Sequence, residues 1–457
     1  MVNIIEFNLF RKRLKITPTQ LIVAAFATLI FLGALLLNLP IASRDDQPFG
    51  FINAIFTATS SVCVTGLIVV DTGNHWTVFG QVIIVLLIQI GGLGIMTMST
   101  LFALLFGRRI TLKERLLIQE SLNQFDLEGI VRLTKNIIIA TLAIELVGAI
   151  LFSLAFVPEY GFKKGIAFGA FHAVTSFCNA GFDLIGGFKS FTPYVNNFII
   201  NINTMALVII GGLGFSVWTD VYQIIRDRSF KNITLHSKVV LSTTTFLILA
   251  GALFIFAMEM NNPDTIKNLP ASGKILASFF HSVSPRTAGF NTLDMAAITT
   301  PTKFMTIILM FIGGSPGSTA GGIKTATAAI LVLTVIAVIK GREDPEVFER
   351  HIPKYLVYRA MAVAAIALGL VVFVTMMLSI TESADFLTLF FETTSAFGTV
   401  GLSLNYSPNL SWIGKIIISI TMFVGRVGPL TLVLAFAKRA SRNKGNLKYP
   451  EDRIMVG

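Results

Sequence analysis

The chain has 457 residues, of which 54% are hydrophobic and 13% charged, with 39 Phe and a formal net charge of +11. Soluble domains carry roughly 25% charged residues, so this chain lacks the charge to cover a water-exposed surface and reads as a polytopic membrane protein, not a soluble enzyme. Two cysteines, Cys63 and Cys178, and five scattered histidines supply neither a disulfide framework nor a metal-ligand spacing.

In chain order, eight apolar stretches reach the ~20 residues that a span needs. They run over about 17–39, 77–106, 137–158, 197–225, 239–260, 304–339, 356–380 and 413–437. The first follows Arg11, Lys12, Arg13 and Lys15. Its apolar run is too long for a signal peptide and has no small-x-small cleavage site, so it is expected to remain as the first span. Inside each odd–even pair lies a shorter semi-apolar run, at 51–64, 166–178, 273–285 and 384–397. At ~1.5 Å rise per residue these runs cannot cross a ~30 Å core, and they are expected to dip in and return.

Charge sets the orientation. The N-terminus, the loops at 107–136, 226–238 and 340–359, and the tail after 437 carry 4, 6, 4, 5 and 6 Lys+Arg, which is 25 of the 36. The loops on the other side carry 9 basic and 10 acidic residues. The basic side is expected in the cytoplasm, with both termini on that side of the membrane. The basic excess thereby serves topology, and no nucleic-acid partner is needed to account for it.

The units repeat. A glycine follows each short run: Gly66 after Cys63-Val64-Thr65, Gly181 after Cys178-Asn179-Ala180, Gly289 after Arg286-Thr287-Ala288, and Gly401 after Gly398-Thr399-Val400. A second glycine landmark follows in each even span: Gly91-Gly92-Leu93-Gly94, Gly211-Gly212-Leu213-Gly214, Gly313-Gly314-Ser315 and Gly425-Arg426-Val427-Gly428. Two landmarks recurring in order mark an internal repeat. The expected units are 1–106, 107–225, 226–340 and 341–437, with a cytoplasmic tail over 438–457. Returning backbone at membrane depth must line water or be buried in protein. Glycine permits the positive φ that lets successive carbonyls face one way. The sequence therefore predicts an all-α membrane protein with four helix–pore loop–helix repeats around one channel-like, pseudo-tetrameric pore. Val64, Thr65, Gly66, Asn179, Ala180, Gly181, Thr287, Ala288, Gly289, Thr399, Val400 and Gly401 are its expected ion-facing residues.

The sixth stretch is different. A single helix over 301–340 would reach ~60 Å, twice the hydrocarbon thickness. It contains Gly313, Gly314, Ser315, Pro316, Gly317, Ser318, Thr319, Ala320, Gly321, Gly322, Ile323 and Lys324. Five glycines and a proline break a helix, so two half-helices joined by a flexible intramembrane loop are expected. Lys324-Thr325 is no phosphate-binding loop, because Ile323 stands where the motif needs glycine and no strand precedes it. Arg426 falls in the column of Gly92, Gly212 and Gly314. It is expected to face the pore and bond the loop at Ser315, Ser318 or Thr319, to pair with Glu392 or Glu145, or to do both. Cys63 and Cys178 read as small packing residues, and His172 and His281 as packing or capping residues. Arg286 reads as a donor to the returning backbone.

These motifs resemble the Ktr/Trk/HKT superfamily of potassium transporters, and within it the KtrB-type membrane subunit. The resemblance rests on Gln89-Ile90-Gly91-Gly92-Leu93-Gly94, Ser284-Pro285-Arg286-Thr287-Ala288-Gly289-Phe290-Asn291, Ser395-Ala396-Phe397-Gly398-Thr399-Val400-Gly401-Leu402 and Gly425-Arg426-Val427-Gly428-Pro429-Leu430-Thr431. It implies that the four glycines select the cation, with potassium favoured by Gly66 where sodium-transporting relatives carry Ser. It implies that the loop from Gly313 to Lys324, with Arg426, is a gate. It further implies a homodimer on a cytosolic ring of RCK-type proteins binding ATP, ADP or NAD-type ligands. No cofactor is implied in this chain, and activation by sodium is left open. Only Thr399-Val400-Gly401 keeps the core of a dedicated potassium-channel filter, so some sodium passage is left open too. Two other readings stand beside this one, the channel-like subunit of a potassium-pumping ATPase complex and an alternating-access sodium/potassium symporter.

The charge pattern yields a topology prediction. Single cysteines placed at Asp46 or Asp264 should react with an impermeant external thiol reagent, and those at Glu120 or Glu346 should not. Labelling of the second pair in sealed cells overturns the eight-span arrangement.

Overall fold

A computed structural model describes residues 5–9, 12–16, 18–94, 97–98, 100–101, 110–121, 129–228, 233–429 and 431–432. The expected tail at 438–457, the far ends of the 77–106 and 413–437 stretches and much of the 107–136 loop lie outside the described residues. The described chain is helical apart from two short antiparallel pairs, Ile5–Leu9 with Lys12–Ile16 and Glu346–Val347 with Arg350–His351.

Four helices are long and apolar enough to cross a membrane by length and composition: α1 (Pro18–Leu37), α5 (Ile130–Tyr160), α9 (Leu235–Glu259) and α13 (Lys354–Thr381). Each exposes large apolar side chains, among them Phe31, Leu146, Phe246 and Phe373. That pattern suits lipid on one flank and protein on the other. Each is followed by a short helix: α2 (Phe51–Val62), α6 (Phe162–Phe177), α10 (Ala271–Val283) and α14 (Phe386–Gly398). These coincide with the runs expected to dip and return. Their C-terminal halves are enclosed, and every residue from Phe391 to Gly398 is buried.

The inner helices close each unit. α3 (Val78–Leu93), α7 (Phe198–Leu213) and α15 (Trp412–Val427) start at Thr77, Asn197 and Ser411, whose side chains accept the N–H of Gly80, Ile200 and Gly414. The third unit has α11 (Thr300–Ile312) and α12 (Thr325–Ile339), separated by the expected glycine-rich loop. A short glycine kink was expected within 77–106, 197–225 and 413–437, and the structure has a helix end there instead. α3, α7 and α15 end at Gly94, Gly214 and Gly428, whose φ values are 86°, 96° and 93°. Such values leave the helical region and terminate the intrahelical ladder. The chain resumes after Gly214 as α8 (Phe215–Asp227), bent by 105° from α7. α4 (Leu112–Ser121) lies in the loop between the first two units.

The glycine landmark has a packing cause. A Cβ at Gly91, Gly211 or Gly425 would collide with the carbonyl oxygen of Val62, Phe177 or Phe397, near the end of the short helix in the same unit. Bare backbone lets the inner helix lie against that helix end. In the third unit the leading glycine, Gly313, instead meets the carbonyl of Gly321 in its own loop.

Gly425→Ala is therefore expected to destabilise the folded protein by about 1–3 kcal/mol, because the opposing atom is backbone and cannot swing away. Gly369 in α13 has nothing within 4 Å of an added Cβ, so Gly369→Ala should leave the thermal midpoint in detergent unchanged or raise it. Equal midpoints for the two variants contradict the contact.

Candidate functional site

The four segments that follow α2, α6, α10 and α14 share a backbone pattern. Gly66, Gly181, Gly289 and Gly401 have φ of 90°, 68°, 81° and 94°. Two residues earlier, Val64, Asn179, Thr287 and Thr399 also have positive φ, at 58°, 60°, 80° and 49°. A β-branched residue in this region is uncommon and strained. The glycines were legible in the sequence. The three β-branched residues beside them, Val64, Thr287 and Thr399, were not, because their residue type argues against such a φ; Asn179 tolerates it.

The N–H groups of these segments turn back onto their own helices. Thr65, Ala180 and Val400 donate to the carbonyls of Ser60, Thr175 and Ser395, each at 2.8 Å. Ala288 donates to Ser284 O at 2.8 Å, one residue out of step with the others. Gly66 and Gly401 donate to the hydroxyls of Ser60 and Ser395 at 3.0 and 3.1 Å. With the donors engaged in this way, the carbonyls are the polar groups left over.

The segments close into a ring. A Cβ at Gly66 would collide with Ala180 O, and one at Gly181 would stand 2.9 Å from Ala288 O. One at Gly289 would collide with Val400 O, and one at Gly401 with Thr65 O. Each glycine thus abuts the residue before the glycine of the next unit, and the fourth returns to the first. All four line one cavity of about 460 Å³, together with Asp183, Lys189, Asp294 and Asn405 from the segments beyond the ring. Asp183 is buried, and that burial pushes its carboxyl up to about 6, with negative Asp71 adding to the shift.

Beneath the ring sits the loop that breaks the third unit. A Cβ at Gly321 would collide with Thr399 Oγ1 and stand 2.6 Å from Gly398 O, so the loop packs against the residues preceding Gly401. It was expected to be flexible; it is extensively bonded. Ser315 N–H donates to Gly212 O at 3.0 Å, Thr319 N–H to Gly211 O at 3.3 Å, and Phe215 N–H to Gly317 O at 2.9 Å. Thr325 N–H donates to Gly314 O at 2.8 Å, and the Ser318 hydroxyl to Ser315 O at 2.6 Å. Lys324, at φ 83°, donates to the carbonyls of Ala320 and Gly321 within the same loop. Carbonyls freed by the breaks at Gly214 and Gly313 are what hold the loop.

Arg426 decides between its two expected roles. Its guanidinium donates to Thr319 O in the loop, to Gly91 O at 2.5 Å and to Gly92 O at 3.1 Å. The expected alternative, pairing with Glu392 or Glu145, is not what the structure has. Glu392 accepts from Ser403, Leu404 and Ser407, and Glu145 from Gln89. The half-buried cation is solvated by carbonyls that helix breaks have freed, which lowers the cost of placing it there. Arg286 differs from expectation as well. It donates to the Thr244 hydroxyl at 3.3 Å on α9, not to the returning backbone. Cys178 packs where a Cβ on Gly92 would stand 2.7 Å from its sulfur, in keeping with a small packing residue.

Long apolar helices alternating with short enclosed ones, whose returning segments meet at one ring, are the build of a multi-pass membrane protein. The chain belongs to the TrkH/Ktr family: the TrkH family, described as cation transport protein, matches residues 12–446. It is 42% identical over 446 residues to the Ktr system potassium uptake protein B of Bacillus subtilis, covering 98% of each chain. It is 42% identical over 451 residues to the potassium/sodium uptake protein NtpJ of Enterococcus hirae, covering 98% of this chain and 99% of that one. It is 36% identical to the Ktr system potassium uptake protein B of Vibrio alginolyticus, covering 98% and 96%. Its fold matches the crystal structure of the potassium transporter TrkH from Vibrio parahaemolyticus with a TM-score of 0.74 at 18% identity, covering 92% of this chain and 84% of that one.

The cavity carries a pH prediction. Asp183 is ionised above about pH 6 and neutral below it, so its negative charge at the cavity fades as the pH on that side falls through that value. Cation uptake should fall over the same window. Asp183→Asn should be slow at every pH, with that part of the profile flat. A profile unchanged by Asp183→Asn rules out this carboxyl as the titrating group.

Proposed function

We propose that this chain takes up potassium across the cytoplasmic membrane through the ring of Gly66, Gly181, Gly289 and Gly401. The observation that carries the reading is the ring closure, in which each glycine abuts the carbonyl-bearing residue of the next unit. Carbonyls replacing an ion's hydration shell are how a protein conducts a bare cation selectively. The four units 1–106, 107–225, 226–340 and 341–437 act as one pseudo-tetrameric pore. Potassium is supported by relatives named for potassium uptake at 42% and 36% identity. A relative named for potassium/sodium uptake supports a role for sodium, as co-permeant or activator. Three oxygens beside the ring, Thr65 Oγ1, Asn179 Oδ1 and Thr399 Oγ1, are buried without a hydrogen-bond partner among the described residues. Polar atoms left open in this way are consistent with a path that holds water or a cation.

The loop from Gly313 to Lys324 is the gate in this reading, and Arg426 is its latch. The loop lies against the ring on the side opposite the cavity, where an ion leaving the ring must pass. The basic loops support a cytoplasmic side for the termini and this gate. They also suit docking by a cytosolic RCK-type ring that binds ATP, ADP or NAD-type ligands, with the chain acting as a homodimer.

Two experiments test the reading. Gly→Ser at each of the four positions should lower potassium affinity and raise relative sodium passage, because a side chain there collides with the neighbouring carbonyl or is strained by its φ. Unchanged ion preference in all four variants, at normal expression, rejects the shared filter. Deleting Ser315–Gly321 should raise potassium flux and weaken control by a cytosolic partner. Arg426→Ala should raise flux in the same direction by releasing Thr319. A deletion variant that reaches the membrane and conducts no faster shows that the loop is packing alone.

A further inference from the structure

We propose that Glu392, His172 and His281 are positioning residues that clamp the far side of the ring, and that this clamp sets how well the ring discriminates between cations. The inference rests on the reading of the ring as the cation path.

The three side chains stand at one level of their short helices. Glu392 precedes Gly401 by nine residues, His172 precedes Gly181 by nine, and His281 precedes Gly289 by eight. Glu392 and His172 are 0% exposed and His281 is 3% exposed. Each reaches past the glycine of its own unit and accepts the backbone N–H three residues beyond it. Leu404 N–H donates to Glu392 Oε1 at 2.9 Å, Leu184 N–H to His172 Nε2 at 3.3 Å, and Thr292 N–H to His281 Nε2 at 3.2 Å. Leu293 N–H adds a second bond to His281 Nε2 at 3.1 Å. Glu392 also takes the hydroxyls of Ser403 at 2.5 Å and Ser407 at 2.6 Å.

The histidine chemistry is constrained by these donors. An Nε2 that receives N–H groups must be unprotonated, so both rings act as neutral acceptors. His172 is also held by Nδ1–H, which donates to Phe168 O at 2.7 Å. Carboxylate and imidazole are different chemistries, yet they meet the same backbone donor at the same place in three units. The first unit has Thr57 at this level, and its buried hydroxyl oxygen has no partner among the described residues. The clamp is therefore three-sided, and the first unit relies on the Ser60 hydroxyl holding Gly66 N–H.

The strained backbone explains why a clamp is needed. Between each helix end and its clamp the chain passes through two residues with positive φ, one of them not glycine. Such conformations persist only where the surroundings over-determine them. The helix end fixes the near side of the segment through bonds to the N–H groups of Ala180, Ala288 and Val400. The clamp fixes the far side. Oxygens fixed at both ends cannot contract onto a smaller cation, and a ring that cannot contract favours the larger one.

The test uses the full-length protein in sealed vesicles, with potassium uptake measured against competing sodium. Gly401→Ser serves as the reference variant that alters the ring itself. Glu392→Ala and His281→Leu should each lower the potassium-over-sodium preference by about five- to tenfold, the scale expected for losing a buried charged or multiple hydrogen bond. Glu392→Gln and His281→Gln should recover most of it, because the amide oxygen accepts the same N–H. Should Glu392→Ala fail to fold, Ser403→Ala combined with Ser407→Ala removes two of its three donors and should shift the preference in the same direction. Monodisperse variants that keep the wild-type preference while Gly401→Ser loses it overturn the clamp. A preference unchanged in Gly401→Ser as well overturns the reading of the ring, and the clamp with it.

Discussion

A hydrocarbon core offers no partner for an open N–H or C=O, and each one left open there costs several kcal/mol. This chain has many such groups, because four short helices end inside the body and four inner helices stop at glycines, Gly94, Gly214, Gly313 and Gly428. The solution recurs, with the third unit one residue out of step. Donors of the returning segment fold back onto the helix just left, as with Thr65 on Ser60 and Val400 on Ser395. The surplus is then made of acceptors, gathered around one axis. The ring's carbonyls are what remains once the donors beside them are bonded to their own helices.

The same surplus of carbonyls assembles the region below the ring. Breaking α3 at Gly94 leaves Gly91 and Gly92 open to Arg426, and breaking α7 at Gly214 leaves Gly211 and Gly212 open to Thr319 and Ser315. Arg426 of the fourth unit thereby holds the first unit and the loop of the third, while the loop itself is stitched to the second. A movement of the loop away from the axis must break bonds to two other units at once. Contacts coupled in that way are made or lost together, which favours discrete arrangements of the loop over a continuous range.

The two sides of the ring differ in chemistry. On one side a cavity carries Asp183 and Asp294 with one lysine, Lys189. On the other stand the guanidinium of Arg426 and the amine of Lys324, each capped by carbonyls. The acidic groups thus gather on the first side and the two cations on the second, where the loop itself supplies the carbonyls that hold them.

Much of this architecture is legible in the sequence because its signals are one-dimensional. Long apolar runs, short ones too brief to cross, and glycines recurring beside them report directly on membrane thickness and backbone freedom. They placed the four short helices within a few residues and singled out Gly66, Gly181, Gly289 and Gly401. The glycines at 94, 214 and 428 were also visible, but whether each gives a kink or a full break depends on what receives the freed carbonyls. That is decided by residues far away in the chain. Arg426 shows the same limit: composition offered Glu392 and Glu145 as partners, yet those carboxylates are engaged by Ser403, Ser407 and Gln89, and the arginine turns to carbonyls. The sequence by itself determined the membrane class, the fourfold repeat and the broken sixth helix, since these follow from local hydropathy and backbone chemistry. Only the tertiary structure decided the strained residues beside each glycine, the clamp on the segments beyond the ring and the partners of Arg426, because a buried polar group takes the nearest open partner in space, and nearness in space is not written along the chain.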